Sequence, residues 1–324
     1  MKQVVLTAQG GPENFAIETA APAAPGAGQI RIRNISIGVN FIDIYQRKGL
    51  YPMLAPVVLG QEGAGIVVAA GAGAPFNPGD RVAYLSGVGA YAEEINVDAA
   101  RAAQIPPDVA DDDAAAVFLK GLTAQMLITQ VFSLKAGQTA LVYAAAGGVG
   151  TLLTQWGSSL GAKMIAVVGE AAKIDAARAN GAAEIIDRSQ TVDIAGRVRE
   201  LTGGHGVDVV YDSVGAATFE ASLDALALRG MMVSFGNASG PVPPVAPLEL
   251  TRRGSLTLAR PSLFHYATPE RLPDMAADVF AALAKGVIKP AIAARFPLEK
   301  TADAHRLLEG GKTIGAIILK PGAA

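Results

Sequence analysis

The stretch GQTALVYAAAGGVGTLLTQWGSS, Gly137 to Ser159, decides the fold. TALVYAA is a short uncharged run suited to a buried strand. A glycine turn follows, and then residues with helical apolar spacing, so the segment reads strand–turn–helix. Within AAAGGVG, Ala144 to Gly150, the G-x-G-x-x-G frame falls on Ala145, Gly147 and Gly150. The middle glycine lets backbone approach a pyrophosphate, and the last permits close packing of helix on strand. The helix N-terminus then faces the negative charge. The first position is Ala, so the motif alone is weak. Any glycine-rich joint between strand and helix would look similar, and the surroundings have to settle the matter.

Downstream, KMIAVVG leads into AAKIDAARAN, and AEIID leads into a helix over Val192–Leu201. VDVVYDSVG precedes a helix over Thr218–Ala227, and GMMVSFGN follows. Runs of Val, Ile and Ala separated by amphipathic helices predict a doubly wound parallel sheet covered on both faces. Such folds bind ligands at the carboxyl ends of the strands. The candidate cofactor contacts are therefore Ala146, Gly147, Gly148 and Val149 in the turn, Ser213 and Gly215 after the fourth strand, and Phe235, Gly236 and Asn237 after the fifth.

The first third is different. KQVVLTA, GQIRIRNISIGVN, GAGIVVAAG and GDRVAYL alternate apolar and polar residues between Gly and Pro turns, which predicts a β-rich, partly closed barrel. From Pro106 a proline turn and acidic residues open a helix that continues through FLKGLTA. Near the other end a helix over Pro273–Lys285 and the strand-like IGAIILKP follow, the latter expected to return to the first domain.

Composition narrows the function. With 27 basic against 29 acidic residues, evenly spread, there is no basic stripe for nucleic acid. The N-terminus MKQVVLTAQGG has too short an apolar run for a signal peptide. Ala136–Ala162 carries no charge and is long enough to cross a bilayer, but its glycines, among them Gly147, Gly148, Gly150, Gly157 and Gly161, and its Gln and Ser residues favour a buried strand and helix. The chain is thus expected to be soluble and cytoplasmic. It has no cysteine and only His205, His265 and His305. Disulfides, thiolate chemistry and Cys-based zinc sites are excluded, and no metal is expected.

GVNFIDIYQRKGLYP, FLKGLTA, GQTALVYAAAGGVGTLLTQWGSS, VVYDSVG, MVSFGNASG and ARPSL, in that order, resemble the quinone oxidoreductase/ζ-crystallin branch of the medium-chain dehydrogenase/reductase superfamily. The resemblance covers essentially the whole chain. It implies a GroES-like, barrel-like catalytic domain (residues 1–122 and 263–324) and an inserted Rossmann domain (residues 123–262) that also forms a homodimer. It implies zinc-independent reduction of a quinone, or another conjugated carbonyl, by NADPH, with NADH possible. A reductase of enones or 2-alkenals is the nearest alternative, and a non-catalytic nucleotide- or RNA-binding, crystallin-like role is a second. In zinc alcohol dehydrogenases the residue before Glu in a similar G-x-E-G-x-G stretch is a metal-binding His. Here LGQEGAGIV has Gln61, and Glu62 reads as structural.

Without a metal the acceptor must itself accommodate added charge, as quinones and conjugated enones do. By resemblance Asn40 lies near the nicotinamide, and Tyr45 and Tyr51 line the acceptor pocket; a turn asparagine and groove-filling tyrosines are the plain alternatives. Arg260 could reach the acceptor or form a salt bridge between domains. Lys120 reads as structural and Thr123 as a cofactor contact. At the cofactor's 2′ position, Gly169 stands where NAD enzymes often place an Asp, which leaves room for a phosphate. Lys173 resembles the family's phosphate-binding lysine, and Arg188 could add charge. Glu170 and Asp187 argue the other way, but both can face solvent while Lys173 has no evident competing partner, so NADPH is expected.

Overall fold

The computed structural model describes residues 1–322. The chain forms two compact units. One holds Met1–Leu122, Ala267–Ala284 and the C-terminal stretch from Pro290; the other holds Thr123–Tyr266 and Lys285–Lys289. In chain order the first unit contributes strands β1 (Lys2–Leu6), β2 (Phe15–Thr19), β3 (Gln29–Val39), β4 (Val57–Val58), β5 (Glu62–Ala70), β6 (Arg81–Leu85), β7 (Glu94–Asp98) and β8 (Ala102–Gln104). The second follows with β9 (Thr139–Tyr143), β10 (Lys163–Val168), β11 (Glu184–Asp187), β12 (Val207–Asp212), β13 (Leu226–Ser234) and β14 (Thr257–Ala259). β15 (Ile292–Pro297) and β16 (Ala316–Lys320) belong to the first unit again.

In the first unit, β2-β1-β4 form a small sheet, and a larger one runs β15-β16-β3-β5-β6-β8 with β7 also on β3. The long β3 organises it: Ile30 and Ile32, and after a register shift between Asn34 and Ser36 also Ile37 and Val39, point into one core with Leu6, Val67, Val82, Ile317 and Leu319. The C-terminal strand β16 returns to pair antiparallel with β3, matching Ile317 to Val39. Lys320 Nζ secures it, donating to Asp112 Oδ1 (2.6 Å) and Ser36 Oγ (2.9 Å).

Helix α1 (Phe41–Lys48) springs from the end of β3. The Asn40 N–H donates to Asp43 Oδ2 at 2.8 Å, a capping box. Gly49, at φ 84°, ends the helix in the left-handed region that favours glycine. Helix α2 (Asp111–Met126) opens with three aspartates at its positive end and continues as a π-helical turn, Leu127–Val131. Among the described residues this is the one helix long and apolar enough to cross a membrane, and 78% of its apolar window is buried inside the fold.

The second unit is a six-stranded sheet in the order β11-β10-β9-β12-β13-β14, parallel throughout. Numbered from β9, this is the 3-2-1-4-5-6 order of the dinucleotide-binding fold. Ala136–Ala162 is not a membrane segment: it supplies the turn into β9, then β9 itself and helix α3 (Gly148–Ser159). Two elements are short. Within SLTLARPSL, Ser255–Leu263, the strand spans only Thr257–Ala259, because Pro261 has no N–H to continue a ladder and a helical turn begins at Leu263. AAKIDAARAN starts as a 3-10 turn, Ala171–Lys173, before its helix at Ile174–Ala179.

Candidate active site

The predicted residues fall into two sets, one in each unit, and the sets are built differently. In the first unit Asn40, Tyr45 and Tyr51 sit on and just beyond α1. Tyr45 and Tyr51 pack edge to face, centroids 5.6 Å apart at 81°, with Phe41 6.1 Å from Tyr45. Asn40 is buried, and its Nδ2 donates to Glu62 Oε1 at 3.0 Å. Glu62 is fully buried. Its Oε1 also accepts from Lys120 Nζ (2.8 Å), and its Oε2 accepts from the Leu119 N–H (2.6 Å). Glu62 and Lys120, both read as structural from the sequence, thus touch Asn40 directly or through one carboxylate.

Below Asn40 runs a second buried chain that sequence reading missed. Tyr91 Oη donates to Asp43 Oδ2 at 2.8 Å and lies 3.0 Å from His305 Nε2. Burial dominates its electrostatics. It pushes the Asp43 carboxyl up to about 7, only partly offset by the Asn40 N–H and Tyr91, and it pushes His305 down to about 3. His305 is neutral at pH 7. The Tyr91 hydroxyl can therefore give its proton to Asp43 and accept from an Nε2–H. One available signal was the Asn-x-x-Asp spacing of a capping box ahead of an apolar run; nothing local pointed to Tyr91 or His305.

In the second unit the frame is backbone. Gly147 caps α3, so the first N–H groups of the helix, those of Gly148 and Val149 included, have no intrahelical partner. A Cβ at Gly150 would collide with the Ala144 carbonyl and lie 2.8 Å from Ala145 Cα. Asp212, fully buried, holds the turn after β12. Its Oδ1 accepts from the N–H groups of Val214 (2.6 Å) and Gly215 (3.1 Å), and its Oδ2 from Thr218 Oγ1 (2.6 Å) and Ser222 Oγ (3.0 Å). The Phe235 N–H donates to the Asp212 carbonyl (2.8 Å) and the Ala238 N–H to that of Ser213 (3.2 Å), tying the two loops together. Arg260 Nη1 donates to the carbonyls of Ser234 (2.8 Å) and Gly236 (3.2 Å), so this side chain buttresses the Phe235–Asn237 loop. Thr123 is buried within α2.

At the end of β10, Gly169 is exposed, and a Cβ there would meet nothing within 4 Å. Lys173 does have a competing partner, contrary to expectation: its Nζ lies 3.5 Å from Glu170 Oε1. The two are one helical turn apart, which brings opposite charges together. Asp187 instead accepts from the Ser189 N–H (2.9 Å) and Oγ (2.7 Å), and Arg188 is exposed beside it.

The family model of the alcohol dehydrogenase GroES-like domain matches residues 26–107, and that of the zinc-binding dehydrogenases matches residues 148–281. A quinone oxidoreductase of Pseudomonas aeruginosa is 46% identical over 324 residues, covering 99% of both chains. The chain belongs to the quinone oxidoreductase family. A 2-haloacrylate reductase of Burkholderia is 42% identical over 98% of each chain. The Escherichia coli quinone oxidoreductase complexed with NADPH superposes with a TM-score of 0.97 at 43% identity, covering 99% of this chain and 100% of that one.

The zinc in one family name does not fit the donors of this member. The chain has no cysteine, and no group of three His, Asp or Glu among the described residues could hold a metal ion. Gln61, where the related motif has its ligand His, gives its Nε2 to Gln46 Oε1 (3.0 Å) and to the Gly87 carbonyl. Glu62 is spent on Asn40, Lys120 and Leu119. The dinucleotide, by contrast, fits: a glycine turn closed to a Cβ at Gly150, a helix N-terminus, and open space at Gly169.

Proposed function

We propose that this chain is a zinc-independent NADPH:quinone oxidoreductase. The observation that carries the reading is full-length identity of 46% to a quinone oxidoreductase, joined to a 3-2-1-4-5-6 sheet with Gly147 and Gly150 in its first strand-to-helix turn. Gly147, Gly148 and Val149 would hold the pyrophosphate on backbone N–H groups, and Lys173 the 2′-phosphate. Ala146, Thr123 and the loops Ser213–Gly215 and Phe235–Asn237 would line the rest of the cofactor. NADPH supplies the hydride.

The chain's own part is placement. Asn40 would orient the nicotinamide end, and Tyr45 and Tyr51 would offer ring faces and edges to a planar acceptor. The acceptor spreads the arriving charge over its own conjugated system, which a site without a Lewis acid requires. Arg260 acts by fixing the Phe235–Asn237 loop.

A second reading rests on the 2-haloacrylate reductase relative: the same residues could serve an activated C=C bond. An acceptor panel separates the two. With NADPH, 1,4-benzoquinone and naphthoquinones should be turned over with kcat/KM at least tenfold above 2-haloacrylates and enones, and chelator treatment should leave the rate unchanged. Preference for the alkenes would overturn the quinone assignment; activity lost with zinc and restored by it would overturn the metal-free one.

A homodimer through β14 belongs to the same proposal. It is the edge strand of its sheet, and an edge offers its unpaired backbone groups to a second copy. A monomer by light scattering at micromolar concentration would rule this out. A cytoplasmic location and the absence of nucleic-acid or membrane partners complete the proposal, supported by the lack of cysteine and the even charge.

A further inference from the structure

We infer that Glu62 and Lys120 are positioning residues that lock the Asn40 amide with its nitrogen towards Glu62 and its oxygen turned away. That oxygen faces the Asp43 N–H of the capping box, and its second lone pair leaves the site a hydrogen-bond acceptor, and not a donor, for the nicotinamide–ribose end of the cofactor. This rests on the reading of Asn40 given above and adds the device that sets its polarity.

An asparagine amide has a donor end and an acceptor end of nearly equal shape, so only its neighbours choose the orientation. Here the neighbour is a carboxylate, which only accepts. Nδ2 donates to Glu62 Oε1 at 3.0 Å, and the reversed amide would set oxygen against oxygen. The carboxylate is itself held on both oxygens, by Lys120 Nζ at 2.8 Å and by the Leu119 N–H at 2.6 Å. Its room is built in: Gly38 lies directly across β3–β5 from Glu62, and a Cβ there would collide with Oε1.

The cost of this arrangement argues for a purpose. Glu62 is fully buried and Lys120 is 5% exposed. Burying such a pair forfeits the hydration of both ions, and a well-packed apolar pair is often as stable or more so. An apolar pair could fill the space but could not orient an amide.

Four variants test this by equilibrium NADPH binding and by the Asn40 side-chain amide NMR signals of cofactor-free protein. Glu62→Gln should weaken NADPH about tenfold, the scale of a lost charge-assisted hydrogen bond, and remove the exchange protection of the Asn40 NH2. Should that variant fold poorly with Lys120 unpaired, Glu62→Gln with Lys120→Met removes both charges and should show the same two changes at near-native Tm. Asn40→Asp alone should be worse, since it sets carboxylate against carboxylate.

Asn40→Asp combined with Glu62→Gln restores one donor facing one acceptor and keeps an oxygen turned away. It should recover most of the lost affinity, a rescue that a purely structural Glu62 would not show. No recovery, or an unchanged Asn40 signal in Glu62→Gln, overturns the inference. As a separate control, Asn40→Ala should lower kcat/KM and weaken NADPH. Wild-type behaviour there would overturn the role of Asn40 itself, whatever the lock does.

Discussion

The two sets of candidate residues, one in each unit, hold their shape by opposite means. In the second unit the working surface is main chain: N–H groups at the start of α3, and two loops held by one buried carboxylate, Asp212, and one guanidinium, Arg260. In the first it is side chain on side chain: Asn40 on Glu62 on Lys120, and Asp43 on Tyr91 on His305. A backbone cradle tolerates few substitutions at its glycines and many elsewhere. A side-chain network depends instead on the matching of charge and on room for its members, such as the space left at Gly38.

The sharpest way to break the comparison is to add atoms to the cradle. Gly150→Val places a branched side chain against the Ala144 carbonyl and Ala145 Cα, both main chain, where no flexible end can swing away. NADPH binding should fall by about a hundredfold or more, equivalent to ~2.7 kcal/mol, with Tm lowered as well. A dissociation constant within threefold of wild type would show that the turn does not depend on that close approach.

The same contrast explains what the sequence discloses. Gly147 and Gly150 betray the cradle because a tight turn leaves a local mark three residues wide, and the βα rhythm around it supplies the context. Gly169 and Lys173 are readable for the same reason, by their offset from β10. The first unit hides its network because the partners are far apart in the chain: Asn40 meets Glu62, Lys120 lies 58 residues beyond Glu62, and His305 lies 214 beyond Tyr91. No window joins them, so Glu62 and Lys120 read as framework and His305 as a stray. The Lys173–Glu170 pair, one helical turn apart, is local but leaves no mark of its own, because a carboxylate beside a lysine at the surface ordinarily faces water.

If the first unit depends on charge state, it should answer to pH. Burial raises the folded Asp43 carboxyl to about 7 from an ordinary 3.8. Between those values the folded protein holds a proton that the unfolded chain has released, so this group's contribution falls as pH rises from about 4 to about 7 and is level above. At about 1.4 kcal/mol per unit the loss across the window is a few kcal/mol. Asp43→Asn cannot ionise and should escape it. The Tm of the variant minus that of wild type should climb between pH 5 and pH 7.5 and then flatten; a constant difference would mean that Asp43 does not titrate there.

The smallest expected effect probes the second unit where it relies on a side chain after all. Lys173 is the proposed partner of a 2′-phosphate, and a charge-assisted contact contributes about 1.5–3 kcal/mol. Part of that is already committed, because the lysine lies 3.5 Å from Glu170, whose side chain is 41% exposed. Ion pairs this open to water contribute little, so a phosphate dianion should outcompete the carboxylate at modest cost. Lys173→Ala should therefore lower kcat/KM for NADPH about tenfold and leave NADH nearly untouched. Glu170→Gln should move the other way by a few fold, since it removes the ion pair with the lysine and a like charge from the phosphate. Gly169→Asp has open space for its side chain and should narrow the preference for NADPH. If Lys173→Ala depresses both cofactors equally, the lysine holds the turn after β10 and not the phosphate, and cofactor choice lies in the backbone like the rest of that unit.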